Sequence, residues 1–308
     1  PGGLPVRPAL PPAIHRRMKT VFLTGGSSAL GRRLIKALHP AFRFLVATHR
    51  RPLDLPGFSV EELPQGLERC EELAERIRTA DVIVHLAAVT HSRDPARYEA
   101  VNHVLTRRLL AVARPGQRFV FMSTLCATPD AGAYGVSKWH AEQAVQASAL
   151  DWVIIRPGEI YGSKAGEGID ALLHLAQRWG VLPDFRQAGS VRYAPISTGE
   201  VADFLIRAVE SPRRARVTYT VCAAHPCTAP ELARALRAGG RRAVAVPVPV
   251  ALLRAAVRLR LPVPFKADQL DRLVARKDYD LATARADYAF QPRDLLADLA
   301  AGVPVGAP

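Results

Sequence analysis

Hydrophobic and polar positions along the chain fall into two alternating patterns. Short apolar runs rich in β-branched and aromatic residues predict buried strands, and apolar positions three or four residues apart predict amphipathic helices. The predicted strands lie at 20–26, 42–50, 81–89, 118–124 and 151–162. The predicted helices lie at 29–39, 67–80 and 98–114, and another opens near Tyr134. This alternation indicates a parallel sheet covered by helices on both faces, which is a doubly wound α/β fold.

The second half of the chain has a looser pattern, in which helical segments are joined by proline-rich connections. The helices are predicted at 169–179, 200–210, 230–238 and 249–259. We expect this half to form a smaller C-terminal lobe, with strands near 192–198 and at 216–222 that return to the first sheet.

Length and composition favour a protein with a large core and no membrane span. The chain has 308 residues, of which 49% are hydrophobic. No apolar run reaches the roughly 18 residues that a spanning helix needs. The proline-rich, basic start lacks the apolar region of a secretory signal, and Met18 is a candidate start of translation. We therefore expect a cytoplasmic protein.

The distribution of charge argues against a nucleic-acid-binding protein, and the spacing of the cysteines argues against a zinc site. The formal net charge is +14, from 42 Lys and Arg against 28 Asp and Glu. The arginines are scattered and not interleaved with aromatics, so we expect no nucleic-acid partner. Cys222, His225 and Cys227 lack the spacing and the fourth ligand of a zinc site, so no metal is expected.

A glycine-rich turn, "TGGSSALG" at 24–31, follows the first strand and opens the first helix. Such a turn brings a pyrophosphate to backbone N–H groups at the positive end of the helix dipole. Gly25 and Gly26 permit the tight turn, and Gly31 permits close packing of helix on strand. We therefore expect a dinucleotide site of the Rossmann type, with cofactor contacts from Gly25, Ser27, Ser28, Ala29, Leu30 and Gly31.

The end of the second strand bears on which dinucleotide is bound. A site for NAD usually has an acidic residue there, which accepts hydrogen bonds from the ribose 2′-hydroxyl. This chain has His49, Arg50 and Arg51 instead, and arginines suit a 2′-phosphate. We expect NADP(H) to be favoured over NAD(H), although both arginines pointing into solvent is an open alternative.

Tyr134 and Lys138, in "AYGVSKWHAEQ", lie four residues apart on a predicted helix. Residues with this spacing are neighbours on one helix face, so the pair by itself is compatible with an ordinary surface contact. Whether the pair of Tyr134 and Lys138 has a function depends on the other motifs in the chain.

Taken in order, these motifs resemble the extended short-chain dehydrogenase/reductase family, the NAD(P)-dependent epimerase/dehydratase group, over about residues 19–300. The glycine turn is similar to T-G-x-x-G-x-x-G, with Ser28 at the position of the middle glycine. The other matching motifs are "VIVHLAAVT", Asn102 in the following helix, "FVFMST", "YGVSK", "RPGEIYG" and "DYDLATARADYAFQPRDL", in which Tyr288 and Ala289 replace Leu-Gly.

The resemblance implies the catalytic residues. Tyr134 is the general acid/base, Lys138 reaches the nicotinamide ribose, and Thr124 hydrogen-bonds the reacting oxygen. A free tyrosine has a pKa of ~10. Because a neighbouring ammonium ion favours tyrosinate, we expect the pKa of Tyr134 to be lowered toward the working pH.

The resemblance also implies further contacts, and it sets the domain boundaries. His85 is expected to be a packed strand residue, and Glu62 or Leu63 falls near the position that contacts adenine. The additional cofactor contacts are Leu86, Ala87, Ala88, Arg156 and Pro157. The substrate contacts are Thr90, Ser123, Thr124 and Arg192. The predicted organisation is a flexible extension over 1–17, a dinucleotide-binding domain over 18–165, and a mainly substrate-binding lobe over 166–308.

The expected function is that of an NAD(P)-dependent oxidoreductase acting on a nucleotide sugar or a related sugar, as an epimerase or as a keto-sugar reductase. The alternative is a non-catalytic NADPH-binding protein of the same family, with a structural role in an assembly. A homodimer is left open. The basic amphipathic stretch at 249–264 is expected to pack within the lobe, and contact with a membrane or a lipid-linked substrate is the alternative.

Overall fold

The computed structural model describes residues 17–48, 52–162, 168–261 and 267–303. Within these ranges the strands are β1 (Lys19–Thr24), β2 (Phe42–Ala47), β3 (Val60–Leu63), β4 (Val82–His85), β5 (Arg118–Met122), β6 (Asp151–Pro157), β7 (Glu159–Tyr161), β8 (Val181–Arg186), β9 (Pro195–Ser197), β10 (Val217–Val221) and β11 (Val244–Pro249). Seven of them form one parallel sheet in the order β10-β6-β5-β4-β1-β2-β3.

The helices flank this sheet and build the smaller lobe. In the described ranges the α-helices are α1 (Ala29–Leu38), α2 (Ala74–Thr79), α3 (Pro95–Tyr98), α4 (Leu105–Val112), α5 (Gly132–Gln146), α6 (Ile169–Trp179), α7 (Thr198–Glu210), α8 (Ala229–Ala238), α9 (Val250–Arg258), α10 (Ala267–Val274), α11 (Ala282–Tyr288) and α12 (Leu295–Ala300). A search of the described residues found no helix that is both long and apolar enough to cross a membrane.

Successive side chains of each central strand enter cores on opposite faces of the sheet. In β1, Val21 and Leu23 join one buried cluster, whereas Phe22 joins the other. In β5, Val120 and Phe121 are divided in the same way. This alternation of faces explains why the strands are continuous apolar runs, since both sides of a doubly covered sheet are buried. The doubly wound fold predicted from the sequence is confirmed.

The order of the strands reverses beside β1, whose neighbours are β2 and β4. In folds of this kind a crevice opens at the carboxyl ends of the strands where the order reverses. Thr24 and His85, the last residues of β1 and β4, lie side by side in register there.

Two predictions about the sheet had different outcomes. The strand predicted at 216–222 is β10, and it joins the main sheet beside β6 as expected. The prediction that residues 192–198 return to the main sheet is wrong, because β9 pairs with β7 in a separate two-stranded sheet. β10 pairs with β6 at the edge of the main sheet. β9 pairs instead with β7, the strand that directly follows β6 in the chain.

Two predicted helices are interrupted. Only Ala74–Thr79 of the segment 67–80 is α-helical, and a 3₁₀ turn at Leu67–Arg69 precedes it. The segment 98–114 contains a π-helical stretch, Glu99–Val104, between α3 and α4. Such insertions often occur at functional sites.

The smaller lobe has its own core, which includes Leu173, Leu182, Leu232, Val250 and Leu299. It also has its own pair of parallel strands, β8 and β11. The boundary predicted at residue 165 stays a prediction, and the extension predicted at 1–17 lies almost wholly outside the described residues.

Candidate active site

The glycine turn between β1 and α1 has no room for larger residues. Gly25 has φ +71°, and a Cβ added to it would lie 2.8 Å from the backbone nitrogen of Ala87. A Cβ on Gly31 would lie 2.6 Å from the carbonyl oxygen of Gly25. The turn therefore keeps the backbone bare where a dinucleotide would approach it.

Ser28, which stands at the position of the middle glycine of the family pattern, is the N-cap of α1. Its φ of −72° and ψ of 163° are ordinary extended values, and its hydroxyl accepts a hydrogen bond of 3.1 Å from the Gly31 N–H. Ala29 and Leu30 form the first turn, which contains no acidic residue. The carbonyl of Ser27 accepts a hydrogen bond from Arg32. The positive end of α1 is thus free of a competing carboxylate.

The residues that bear on the choice of dinucleotide are only partly described. His49, Arg50 and Arg51 lie outside the described residues, so the expected contacts with a 2′-phosphate stay a prediction. Glu62 accepts a hydrogen bond of 3.0 Å from the Leu53 N–H, and Leu63 is buried.

A chain of hydrogen bonds crosses beneath the crevice from β1 to the helices. Thr24 Oγ1 lies 2.6 Å from His85 Nδ1 and accepts a hydrogen bond from the Ala87 N–H. On its other side, His85 Nε2 lies 2.9 Å from Thr106 Oγ1, which donates to the carbonyl of Asn102. Burial, helped by the positive charge of Lys138, lowers the pKa of His85 to about 3. His85 is therefore a neutral, fully paired residue, as expected from the sequence.

Asn102, in the π-helical segment, holds the loop after β4. Its side-chain amide forms two hydrogen bonds with the backbone of Val89, and it also donates to Ser137 Oγ. Ser137 in turn donates to the carbonyl of Tyr134. This connection fixes the cofactor-side loop, which contains the predicted contacts Leu86, Ala87, Ala88 and Thr90, to the start of α5.

Tyr134 and Thr124 lie near each other, and their predicted catalytic roles stay a prediction. The Thr124 side chain lies close enough to the Tyr134 phenol to oppose the rise in the pKa of Tyr134, and the Thr124 hydroxyl accepts a hydrogen bond of 3.2 Å from the Cys126 N–H. The ring of Tyr134 packs edge-to-face on Tyr98, with 5.9 Å between the centroids. The phenol and the threonine hydroxyl thus form one polar pair at the end of β5.

Lys138 lies beneath this pair and is almost wholly buried. Its Nζ donates to the carbonyl of Met122 at 2.7 Å and lies 4.0 Å above the ring of Phe121. Burial lowers the pKa of Lys138 to about 7, although Glu142 opposes the change. The side chain is therefore easily neutralised.

The expected lowering of the pKa of Tyr134 is wrong for this structure. Burial raises the pKa of Tyr134 to about 12, because the phenolate would be poorly solvated. The cation that works against this rise is Arg272, not Lys138, whose ammonium is directed to Met122. The Arg272 guanidinium lies 4.7 Å from the centroid of the Tyr134 ring.

Sequence reasoning missed Arg272 and Asp268, which are on α10. Asp268 accepts a hydrogen bond of 2.9 Å from the Tyr134 N–H and forms an ion pair with Arg272. Arg272 also donates to the carbonyl of Thr90 at 3.2 Å. The i,i+4 spacing of Asp268 and Arg272 was visible in the sequence, but their distance along the chain from Tyr134 hid the contact.

The remaining predicted site residues differ in their burial and in their hydrogen-bond partners. The Ser123 hydroxyl is buried beside Thr124 and has no hydrogen-bond partner among the described residues. Arg156 is paired through both arms of its guanidinium with the buried carboxylate of Glu142, and Pro157 is buried at the end of β6. Arg192 is exposed in the smaller lobe and donates to the carbonyl of Pro226.

Fold and site together define a class of protein: doubly wound enzymes with a glycine turn and a tyrosine–lysine pair. A sequence model of a family described as RmlD substrate binding domain matches residues 18–264, well over half of the chain. The chain therefore belongs to this family, within the extended short-chain dehydrogenase/reductases. The family resemblance seen in the sequence is confirmed.

The chain is similar to two reductases among curated proteins. It is 32% identical over 197 residues to a ceramide reductase of Caulobacter vibrioides. This match covers 62% of this chain and 61% of the reductase. It is also 32% identical over 189 residues to a 4-hydroxy-2-methyl-3-oxo-4-farnesyl-3,4-dihydroquinoline-1-oxide ketoreductase of Stigmatella aurantiaca. This match covers 51% of this chain and 56% of the ketoreductase. The matches thus span less than two thirds of either relative.

Solved structures share the fold over nearly the whole chain. MoeE5 in complex with UDP-glucuronic acid and NAD has a TM-score of 0.68 at 16% identity, covering 92% of this chain and 97% of MoeE5. UDP-glucuronic acid 4-epimerase from Bacillus cereus, in complex with NAD, has a TM-score of 0.66 at 15% identity, covering 92% of this chain and 94% of the epimerase. At this level of identity the likeness shows the fold.

Proposed function

We propose that the chain is an NAD(P)H-dependent reductase that converts a ketone to a secondary alcohol. The observation that carries the proposal is the closeness of the Tyr134 phenol and the Thr124 side chain, with the buried Lys138 one turn further along α5. The two curated relatives support reduction, because each is named as a reductase.

The described residues fit a nicotinamide dinucleotide. Bare backbone at Gly25 and Gly31, together with a first turn of α1 that lacks carboxylates, suits a pyrophosphate. The unpartnered hydroxyl of Ser123 offers a further polar contact at the end of β5. We propose NADP(H) as the preferred form on the strength of Arg50 and Arg51. When bound, the dinucleotide supplies the hydride that adds to the carbonyl carbon.

Tyr134 has the protonation state that reduction needs. With a pKa of about 12, its phenol is protonated at neutral pH and is ready to donate to the carbonyl oxygen. Thr124 orients that oxygen by hydrogen bonding. The Arg272 guanidinium, over the face of the ring, stabilises the phenolate that remains. The oxygen thus gains its proton from Tyr134, and a bound reduced dinucleotide would supply the hydride to the carbon and so be oxidised.

The substrate is proposed only as a ketone, and two chemical classes compete for it. The sequence motifs point to a keto-sugar, with a nucleotide sugar as its usual form. The two curated relatives are instead named for ceramide and for a farnesylated quinoline oxide, both of which have long apolar chains. An assay panel therefore has to contain keto-sugars and lipid ketones.

The test is turnover with NADPH and with NADH across this panel, for the unmodified protein and for Tyr134→Phe. We expect turnover with NADPH to exceed turnover with NADH. We expect Tyr134→Phe to lose about 10²–10⁴-fold in kcat, the usual contribution of a general acid. Nucleotide binding, followed by quenching of protein fluorescence, should be kept because only a hydroxyl is removed.

Tyr288→Phe is the matched control, since its hydroxyl donates to the Ser211 carbonyl, in a contact with no part in the proposed site. This variant should keep its turnover. Full activity of Tyr134→Phe would refute the assignment. Tight NADPH binding without turnover on any ketone would favour the non-catalytic alternative.

A further inference from the structure

Helix α9 packs Val250 and Leu253 against the lobe core and leaves Leu252 exposed. The sequence predicted that the stretch 249–264 packs its leucines and valines within the lobe. In α9, however, Val250 is the buried residue, whereas Leu252 is 67% exposed. Leu259, which directly follows the helix, is 72% exposed. The packing prediction is therefore confirmed for the side of α9 that carries Val250 and Leu253, whereas Leu252 and Leu259 lie outside that packing.

The strands next to α9 expose apolar side chains as well. Val244 in β11 pairs in register with Val181 in β8, and they are 59% and 39% exposed. Val246, two residues along β11 and so on the same face as Val244, is 43% exposed. Trp179, next to this strand pair, is 66% exposed. We call these six residues, Trp179, Val181, Val244, Val246, Leu252 and Leu259, the apolar lobe surface.

This exposure is concentrated in one stretch of the chain. Ten large hydrophobic side chains are exposed among the described residues, and eight of them lie between Leu175 and Leu261. Single exposed hydrophobic residues are normal on any protein, but a concentration of them marks a surface that binds something apolar.

The charge around the apolar lobe surface favours a negatively charged partner. Neither β11 nor α9 contains an acidic residue. Arg258 and Arg260 are exposed beside Leu259, and the Arg178 guanidinium lies 5.2 Å from the centroid of the Trp179 ring. Helices that lie at the surface of an anionic membrane typically combine an apolar face, rich in residues such as leucine and tryptophan, with arginine or lysine beside it.

We propose that the apolar lobe surface binds the surface of an anionic lipid bilayer, as a reversible peripheral contact. The apolar side chains enter the boundary between headgroups and acyl chains, and the arginines pair with lipid phosphates. This inference goes beyond the proposed reductase function and does not depend on it.

The docking surface is connected to the candidate active site. Arg254 of α9 forms an ion pair of 2.9 Å with Asp271 of α10. The neighbouring residue of α10, Arg272, covers the ring of Tyr134. The ion pair therefore links α9 to the helix that carries Arg272.

The test is co-sedimentation of the purified full chain with vesicles of phosphatidylcholine alone and of phosphatidylcholine with 30–40% phosphatidylglycerol, roughly the anionic fraction at which basic surfaces bind membranes. We expect binding to the anionic vesicles, weakened by added NaCl because the charges are then screened. Leu252→Glu combined with Leu259→Glu should reduce partitioning at least about tenfold, since both apolar insertion and charge attraction are lost.

Val104→Glu is the matched control, because Val104 is 44% exposed but lies in the π-helical segment far along the chain from α9. It should bind vesicles as the unmodified protein does. Arg258→Gln combined with Arg260→Gln changes charge without placing a carboxylate in the surface, and it should lower binding by about fivefold or more.

Three results would overturn the proposal. The first is no sedimentation with anionic vesicles at low salt, and the second is equal binding by the lobe variants and Val104→Glu. The third is a dimer in sedimentation velocity that Leu252→Glu with Leu259→Glu abolishes, because the surface would then bind a second copy of the chain. Thermal melts of each variant establish that it is folded. Tyr134→Phe should bind vesicles normally, which separates this inference from the catalytic one.

Discussion

The side chain of His85 shows how the site depends on a residue that takes no part in its chemistry. Both ring nitrogens are within hydrogen-bonding distance of threonine hydroxyls, those of Thr24 and Thr106, and the ring is 1% exposed. Protonation would replace an accepting nitrogen by a second donor and would place a charge close to Lys138. The pair of strands that carries the crevice is thus stable only with a neutral imidazole.

This arrangement predicts a specific dependence on pH. A pKa of about 3 in the folded state, against ~6.5 in the unfolded chain, means that the unfolded chain binds more protons between these values. The free energy of unfolding therefore falls as the pH falls from 6.5 toward 3. Between pH 6.5 and 4.5 this histidine should account for a loss of roughly 2 kcal/mol.

Urea unfolding of the unmodified protein and of His85→Asn at several pH values measures this term. The variant should be less stable at pH 7, and the difference between the two proteins should shrink as the pH falls. Parallel curves for both proteins would show that the histidine does not titrate in this way.

At the scale of single residues, a family motif led the sequence to predict Tyr134, Lys138 and Thr124 as the catalytic residues. It could not give the direction in which the pKa of Tyr134 shifts. That direction depends on burial beneath α10 and on the contact between Lys138 and the Met122 carbonyl, and neither is local in the chain. Arg272 was missed for the same reason.

Among the elements, α1 illustrates how a departure from a motif is accommodated. The family pattern has glycine at position 28, but the backbone there needs no glycine, and the serine gives the helix a side-chain cap. An N-cap serine typically contributes about 1 kcal/mol relative to alanine, whereas glycine at the same position costs only a few tenths.

We therefore expect Ser28→Ala to lower the free energy of unfolding by about 1 kcal/mol and Ser28→Gly to lower it by much less. Denaturant melts measure the two values, and nucleotide titration shows whether the turn still binds. Equal losses for the two variants would indicate that the hydroxyl does not cap α1.

The pattern of apolar positions predicted most element types correctly, and its failures have a local cause. Helix α6 was predicted with the bounds that the structure gives it. In the segment 67–80, the buried residues Leu67, Cys70 and Leu73 are three apart. That spacing fits both an α-helix and the tighter 3₁₀ geometry. Apolar periodicity therefore could not show that the α-helix starts only at Ala74.

At the scale of the whole molecule, a buried ion pair joins the segment after α10 to the edge of the main fold. Lys277 Nζ lies 2.5 Å from a carboxylate oxygen of Glu159 in β7, and the lysine side chain is 2% exposed. The other oxygen of Glu159 accepts a hydrogen bond from the Ala194 N–H, just before β9. Despite burial, the carboxylate raises the pKa of Lys277 above its ordinary value.

Removing one partner should therefore be more harmful than replacing both. Lys277→Met leaves a carboxylate without its cation, and we expect a loss of about 3–5 kcal/mol in the free energy of unfolding. Lys277→Met combined with Glu159→Gln should recover much of this loss, because no unpaired charge remains. A double-mutant cycle in urea measures the coupling, and additive losses would contradict this role of the pair.

The sequence predicted the main sheet well because each βα unit is a local pattern and parallel connections have a fixed hand. It did not predict the small sheets β7-β9 and β8-β11. β7 and β9 have only three residues each, and β8, β9 and β11 contain proline. Each strand pairs with one far along the chain, so no local pattern determines its partner.

The position of α10 over the first turn of α5 has an evolutionary consequence. Helix α10 contacts the Tyr134 backbone through Asp268 and also supplies the Arg272 cation that lies over the Tyr134 ring. A change of lobe sequence that admits a new substrate therefore alters the acidity of the proton donor in the same step. In this architecture, substitutions at Asp268 or Arg272 are expected to change the acidity of Tyr134 together with the shape of the lobe, so the two properties evolve as one trait.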